Sequence, residues 1–137
     1  MEKRLIKGGN SLHGTINCSD AKNAALPMIA ATILCNDKIT LNNLPYLPDI
    51  TTMFELLVSL GPNILLDENM NFTISSSELL DTEARYELVK TMRASILVLG
   101  PLVAKYGKAR IALPGGCAIG SRPVNFHLDA LEQLGAK

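Results

Sequence analysis

A glycine-rich run at residues 114–123, PGGCAIGSRP, holds the side chains best suited to chemistry in this chain. It places Cys117 five residues before Arg122. Glycines let backbone N–H groups approach a ligand closely, and consecutive N–H groups in a turn form an anion-binding concavity. A nearby guanidinium binds oxyanions through paired hydrogen bonds and favours a thiolate over a thiol. The run predicts a reactive cysteine beside a phosphate or carboxylate ligand; the alternative is a tight turn with a half-buried structural cysteine.

The other cysteines and the histidines show no metal-ligand spacing. Cys18, Cys35 and Cys117 are odd in number and widely separated. This argues against a disulfide framework and a zinc site, and it suits a reducing cytoplasm. Cys18 and Cys35 are expected to pack in the interior, while the isolated His13 and His127 are expected to lie at the surface or to support other side chains rather than to act as ligands. We therefore expect neither a metal nor a cofactor.

Composition narrows the class of protein. The 137 residues are 47% hydrophobic and 19% charged, which is typical of one globular domain. The formal net charge is zero, so no global field attracts nucleic acid or an anionic membrane, and any anion site must be local. The longest apolar stretch, 24–35, is too short to span a membrane, and the N-terminus lacks a signal-peptide pattern. We expect a cytoplasmic protein without nucleic-acid or membrane partners.

Two parts of the chain share one order of predicted elements. Apolar helical stretches at 23–34 and 93–106 begin at an offset of 70. A strand follows each, at 38–41 and 109–113, and then a loop and a second helix. This order predicts duplicated α/β units; the alternative is coincidence between two amphipathic segments.

The second helix of the first unit has the clearest buried face. Asp49 is expected to be its N-cap and Gly61 its end, and a hairpin with strands at 63–67 and 70–75 follows. The apolar positions recur at helical spacing: Ile50, Met53, Phe54, Leu57 and Leu60.

The second unit ends where its own hairpin would begin. Its second helix shows Phe126, Leu128, Leu131 and Leu134 before Gly135, and the chain stops at Lys137. We therefore predict a fragment, with a first βαβαββ-type unit at 21–78 and an incomplete second unit at 79–137. A sheet without its last strands leaves an open edge, which predicts self-association.

Several motifs, in order and at compatible spacing, resemble the N-terminal part of the UDP-N-acetylglucosamine enolpyruvyl transferase family. Each motif alone is weak, but together they run from the first residues to the last. They are KGG at 7–9 with LHG at 12–14, AKNAALP at 21–27, YELVKTMRASI at 86–96 with LGPL at 99–102, and PGGCAIGSRPV at 114–124.

The resemblance implies a fold and a reaction. The fold has two similar domains of repeated βαβαββ units, each an inverse α/β barrel, with the active site between them and residues 1–20 belonging to the second domain. The reaction transfers the enolpyruvyl group of phosphoenolpyruvate to the 3′-hydroxyl of UDP-N-acetylglucosamine and releases phosphate, the first committed step of peptidoglycan synthesis. The base for the sugar hydroxyl would lie beyond residue 137. We therefore expect that this part alone is inactive and needs the C-terminal remainder as a partner.

The resemblance also assigns residues at the starts of the two units. Lys22 would contact phosphoenolpyruvate and take part in catalysis, the alternative being a solvated lysine. Asn23 would offer an amide donor, the alternative being a local helix cap. Arg93 would bind the anionic groups of the substrates, the alternative being a salt bridge with Glu87.

The remaining implied site residues follow the second unit's strand. Cys117 would donate a proton to the enolpyruvyl carbon and form covalent adducts, including one with fosfomycin. Arg122 would also contact phosphoenolpyruvate. The segment lining the nucleotide-sugar site would be Arg122, Pro123, Val124, Asn125 and Phe126.

Two positions depart from the family pattern. Asn125 stands where an aspartate is expected, and Asp20 stands where a glycine is expected and could damp the positive potential near Lys22.

The related shikimate-pathway transferase shares the architecture but lacks the cysteine loop. The sequence is also compatible with a non-catalytic nucleotide-sugar-binding module and with an assembly domain in which Cys117 is inert.

Overall fold

The computed structural model describes residues 3–77, 80–112 and 124–137, which form a mixed α/β structure. The α-helices are α1 (Lys22–Ala31), α2 (Pro48–Leu60), α3 (Tyr86–Val89), α4 (Leu99–Tyr106) and α5 (Asn125–Gln133). Two 3₁₀ helices, Thr32–Leu34 and Arg93–Val98, continue α1 and precede α4. The strands are β1 (Ile39–Leu41), β2 (Asn63–Leu66), β3 (Phe72–Ser75), β4 (Glu83–Ala84) and β5 (Arg110–Ile111). The predicted helical stretches, strands and hairpin are present with small shifts of their ends.

Helix α1 is held by packing more than by its own capping. Ala21 is its N-cap and supplies no side-chain hydrogen bond, and Pro27 lies inside the helix. Because proline has no N–H, the carbonyl of Asn23 loses its usual helical partner. Ala25 and Ile29 are fully buried, and α1 packs against α2 and against the 3₁₀ helix Arg93–Val98. Tertiary burial therefore fixes the direction of α1.

Helix α2 follows the periodicity expected from the sequence. All five predicted apolar positions are buried, together with Leu56. Gly61 ends the helix at φ 127°, and its N–H donates to the carbonyl of Leu57 at 3.2 Å. This backbone conformation favours glycine, since it disfavours a Cβ. Truncation of a buried leucine on this face costs about 2–5 kcal/mol.

A three-stranded antiparallel sheet, in the order β1–β3–β2, lies against α2. Ile74 on the central strand is paired with Ile39 on one side and Ile64 on the other. The ring of Phe72 stacks on Phe54 of α2, with centroids 4.3 Å apart. The hairpin and α2 thus share one apolar layer.

A second, two-stranded sheet joins β4 and β5 in parallel. Parallel strands need a crossover, and residues 85–109 supply it through α3, the 3₁₀ helix Arg93–Val98 and α4. Gly107 ends α4 in the left-handed region at φ 74°. Val98 and Leu102 are fully buried in the same hydrophobic cluster as α1 and α2, so both halves share one core.

Two of the described segments lie outside this core. Residues 3–19 are exposed and carry no helix or strand. Helix α5 buries none of its residues, and Phe126 is 74% exposed, so the apolar face expected there is uncovered. Cys18, expected to pack in the interior, is exposed because it belongs to the extended N-terminal segment, whereas Cys35 is half-buried. In the described parts of the chain, no helix is long and apolar enough to cross a membrane.

Candidate active-site cleft

A cleft of about 430 Å³ opens where three helices begin close together. These are α1, α2 and the 3₁₀ helix that starts at Arg93. We call it the Lys22 cleft. Its described lining residues are Lys22, Asn23, Leu26, Asp49, Thr91, Met92, Arg93, Ala94, Ile96 and Leu97.

Lys22 is the first residue of α1 and is half exposed at the cleft. Its ammonium Nζ donates a hydrogen bond to Oδ2 of Asp49 at 2.7 Å. A cation at a helix N-terminus is disfavoured by the helix dipole, and the carboxylate offsets that repulsion. The ammonium is therefore held at the cleft by a partner 27 residues away in the sequence.

Asp49 is not the N-cap of α2, which corrects the sequence-based expectation. The N-cap is Leu47, in extended conformation, and Pro48 takes the first helical position. Proline disfavours helical backbone in the residue before it and is itself suited to the first helical turn, so α2 begins earlier than predicted. Asp49 thus lies in the first turn, and its carboxylate bonds to Lys22 instead of capping its own helix.

Asn23 and Arg93 meet in the same cleft from distant parts of the sequence. Asn23 is the exposed second residue of α1 and is not its N-cap. Arg93 is the half-buried first residue of the 3₁₀ helix, and Met92 is that helix's N-cap. The structure therefore brings Asn23 and Arg93 together with Lys22 in the lining of one cleft.

Glu87, the alternative partner of Arg93 suggested by the sequence, forms an ion pair with Lys90 on the next turn. The hydrogen bond from Lys90 to Glu87 raises the pKa of Lys90 above its ordinary value. Both side chains are largely exposed, so this pair contributes little to stability.

The other predicted site residues divide into two groups. Cys117, Arg122 and Pro123 lie outside the described residues. Val124 is the N-cap of α5, and Asn125 and Phe126 are its first residues. The described lining of the Lys22 cleft includes no residue of α5.

The charges of the Lys22 cleft favour an anion. Lys22 and Arg93 are cations and Asp49 is an anion, which leaves one formal positive charge among the described lining residues. Leu26, Ile96 and Leu97 form an apolar wall beside them. A low-dielectric wall strengthens charge–charge attraction, so the cleft can bind a small phosphate or carboxylate ligand.

A larger groove, of about 560 Å³, runs along α2 and the hairpin. Its lining is mainly apolar, with Tyr46, Phe54 and Phe72 among its side chains, and Glu55 is the charged residue among its described lining. That lining lacks the convergent cations that an anionic substrate requires. Of these two pockets, the smaller Lys22 cleft is the one whose described lining includes the predicted residues Lys22, Asn23 and Arg93.

Sequence comparison identifies the family of the chain. The model of the EPSP synthase (3-phosphoshikimate 1-carboxyvinyltransferase) family matches residues 6–137. The chain belongs to this family. A relative from Magnetococcus marinus is 57% identical over 99% of this chain, and one from Coxiella burnetii is 54% identical over the same share. Both relatives are named UDP-N-acetylglucosamine 1-carboxyvinyltransferase, which confirms the resemblance found in the sequence.

Structural comparison agrees with this family. The chain is similar to the crystal structure of the enolpyruvyl transferase NikO from Streptomyces tendae, with a TM-score of 0.74 and 25% identity. The match covers 93% of this chain and 28% of that protein. The predicted fold class, an α/β structure of enolpyruvyl-transferase type, is confirmed. The chain spans about a third of the length of the curated relatives, 32% in the first case.

Proposed function

We propose that the complete protein transfers the enolpyruvyl group of phosphoenolpyruvate to the 3′-hydroxyl of UDP-N-acetylglucosamine, the first committed step of peptidoglycan synthesis in a bacterial cytoplasm. The observation that carries the proposal is the meeting of Lys22, Asn23 and Arg93 in one cleft. The names of the relatives supply the substrate class.

The reaction places specific demands on such a cleft. The sugar 3′-hydroxyl loses its proton to a base as its oxygen bonds to C2 of phosphoenolpyruvate, and the C2–C3 double bond becomes a single bond as C3 gains a proton. The tetrahedral intermediate then loses phosphate from C2 and a proton from C3, which restores the double bond. Both substrates are anionic, so fixed cations lower the cost of bringing them together and stabilise the charge that develops on phosphate.

The site residues predicted from the sequence would divide these tasks. Lys22 donates hydrogen bonds to the phosphate of phosphoenolpyruvate, since a compact ammonium suits a phosphate oxygen. The planar guanidinium of Arg93 donates paired hydrogen bonds to a carboxylate or diphosphate. Asn23 adds a neutral amide donor beside Lys22. Cys117 supplies the proton to C3 from the glycine-rich loop, and the segment 122–126 contacts the nucleotide sugar.

The domain arrangement of the proposal follows the sequence analysis. Residues 1–20 belong to a second domain of the complete protein, and the exposure of residues 3–19 in this structure supports that assignment. Residues 21–78 form the first repeated unit and 79–137 part of the second. We expect that the isolated 137 residues do not turn substrate over, because the family resemblance implies that the base for the sugar hydroxyl lies in another part of the complete protein.

A chimera tests this function directly. Residues 1–137 would replace the matching region of the Magnetococcus marinus relative, and phosphate release would be measured with both substrates. We expect activity comparable to that relative, and a loss of about a hundredfold or more for Lys22→Ala or Arg93→Ala. Glu83→Ala is the matched control, since its exposed carboxylate pairs with Arg110 away from the cleft. A folded chimera that binds UDP-N-acetylglucosamine without releasing phosphate would instead favour a non-catalytic nucleotide-sugar-binding module.

Fosfomycin tests the role of Cys117 in the same chimera. We expect one covalent adduct on Cys117 when UDP-N-acetylglucosamine is present, located by peptide mass spectrometry. Cys18 and Cys35 serve as internal controls and should stay unmodified. An active chimera whose Cys117 remains unmodified would exclude the proposed role of this thiol.

A further inference from the structure

We propose that Asp49 is a positioning residue for this reaction: its carboxylate fixes the ammonium of Lys22 at the mouth of the cleft. This inference rests on the proposed function. It assigns a task to a residue on a different helix from Lys22, in a contact that joins the starts of α1 and α2.

The carboxylate of Asp49 is itself well placed to act as an anchor. Pro48 restricts the backbone at the first helical position, and Asp49 follows in the first turn of α2. A carboxylate at this end of a helix is favoured by the helix dipole. Ile50 next to it is buried in the core, so the backbone that carries Asp49 is held by packing.

The contact leaves Lys22 able to bind a ligand. The ammonium has three N–H donors, and among the described residues it makes one hydrogen bond, to Oδ2 of Asp49 at 2.7 Å. The other two donors have no partner in the described part of the chain, so they can bind a phosphate. Without Asp49, a lysine at the first position of α1 would be free to turn into solvent, away from the positive end of its own helix.

The pair is poorly suited to a purely stabilising role. The side chains of Lys22 and Asp49 are 44% and 41% exposed, and ion pairs of this kind contribute little to folding. Truncation of Asp49 should therefore leave the fold intact. Its effect should appear in the use of phosphoenolpyruvate, where the location of the Lys22 ammonium matters.

The first test measures steady-state kinetics of the chimera that carries residues 1–137. We expect Asp49→Ala to lower kcat/KM for phosphoenolpyruvate roughly tenfold, with less than a roughly twofold change in KM for UDP-N-acetylglucosamine. Asp49→Asn keeps an oxygen acceptor at the same place and should recover part of the loss. Glu83→Ala should behave as the unmodified chimera.

A double-mutant cycle separates positioning from structure. If Asp49 acts through Lys22, then Asp49→Ala has no further effect in a Lys22→Ala background. Independent losses that multiply in the double variant would overturn the inference. An inactive unmodified chimera would instead contradict the proposed function. In that case the contact between Asp49 and Lys22 is tested by spectroscopy, which does not require activity.

The spectroscopic test needs no activity and uses the 137-residue chain itself. Proton–nitrogen correlation spectra of the lysine ammonium groups should show a slowly exchanging Lys22 signal, assigned by its loss in Lys22→Ala. Asp49→Ala should broaden this signal, while circular dichroism and the unfolding midpoint stay unchanged. An unaffected Lys22 signal in Asp49→Ala would show that the carboxylate does not hold the ammonium.

Discussion

The ammonium of Lys105 donates a hydrogen bond to the backbone carbonyl of Ile33 at 2.8 Å, across 72 positions of sequence. The same ammonium also bonds to the carbonyls of Cys35, at 2.9 Å, and Ser76, at 3.3 Å. Lys105 lies in the last turn of α4, whereas these carbonyls follow α1 and β3. The side chain of Lys105 therefore connects the second half of the chain, through hydrogen bonds, to two segments of the first half.

Replacement of Lys105 by methionine should remove these hydrogen bonds and destabilise the fold. Methionine keeps the apolar stem but removes all three donors, and the half-buried carbonyls lose a charged partner. We expect the free energy of unfolding to fall by about 2 kcal/mol, measured by urea titration followed by circular dichroism. Lys108→Met, at an exposed lysine beyond α4, is the matched control. Equal stability of the two variants would contradict this role of Lys105.

The hairpin turn should respond to pH through Asp67. Hydrogen bonds from the backbone and side chain of Asn71, and from the backbone of Asn69, lower the pKa of Asp67 below its ordinary value of 3.8. A lowered pKa in the folded state means that the charged carboxylate stabilises the fold above about pH 4, and that this stability is lost as pH falls through the lowered pKa. We expect Asp67→Ala to lower the urea midpoint at pH 7 and to differ less from the parent near pH 2. A constant difference between parent and variant over that range would contradict the prediction.

Met70 adopts a left-handed backbone in the same turn. Its φ is 61°, a conformation in which a side chain is strained, while its neighbours Asp67 and Asn71 close the turn through hydrogen bonds. Met70→Gly should relieve the strain, although glycine loses more entropy on folding. We expect a net gain in unfolding free energy of about 0.5–1 kcal/mol. The comparison variant is Met70→Ala, which retains a Cβ and should give no such gain.

Local patterns in the sequence were sufficient to predict much of the fold. The stripe on α2, its end at Gly61 and the following hairpin depend on spacing and turn chemistry, and all three are present. The burial of α5 could not be inferred in the same way. Its apolar residues recur as in α2, yet Phe126 is exposed, because burial depends on which surface lies opposite a helix.

In the cleft, too, the sequence predicted some residues, while a contact between distant segments became visible only in the structure. Motif resemblance pointed to Lys22, Asn23 and Arg93, and the packing of α1 against the 3₁₀ helix places them in one cleft. The role of Asp49 was missed because an aspartate before an apolar helical run also fits an N-cap. The signal that could have revealed it is Pro48, which moves the helix start toward the N-terminus and leaves the carboxylate available for Lys22.

The exposed edge strand β2 predicts concentration-dependent association of the 137-residue chain. In the described sheet β2 is an edge strand, and its Leu65 and Leu66 are 62% and 53% exposed. An apolar edge with unpaired backbone groups favours pairing with another copy, whereas a lysine on the edge opposes it. We expect sedimentation velocity to show dimers that dissociate on dilution and that are strongly reduced by Leu65→Lys. The comparison variant Thr40→Lys places the same charge on the opposite edge strand, β1, and should leave the dimers in place. If Leu65→Lys and Thr40→Lys dimerise equally, the contact does not involve β2.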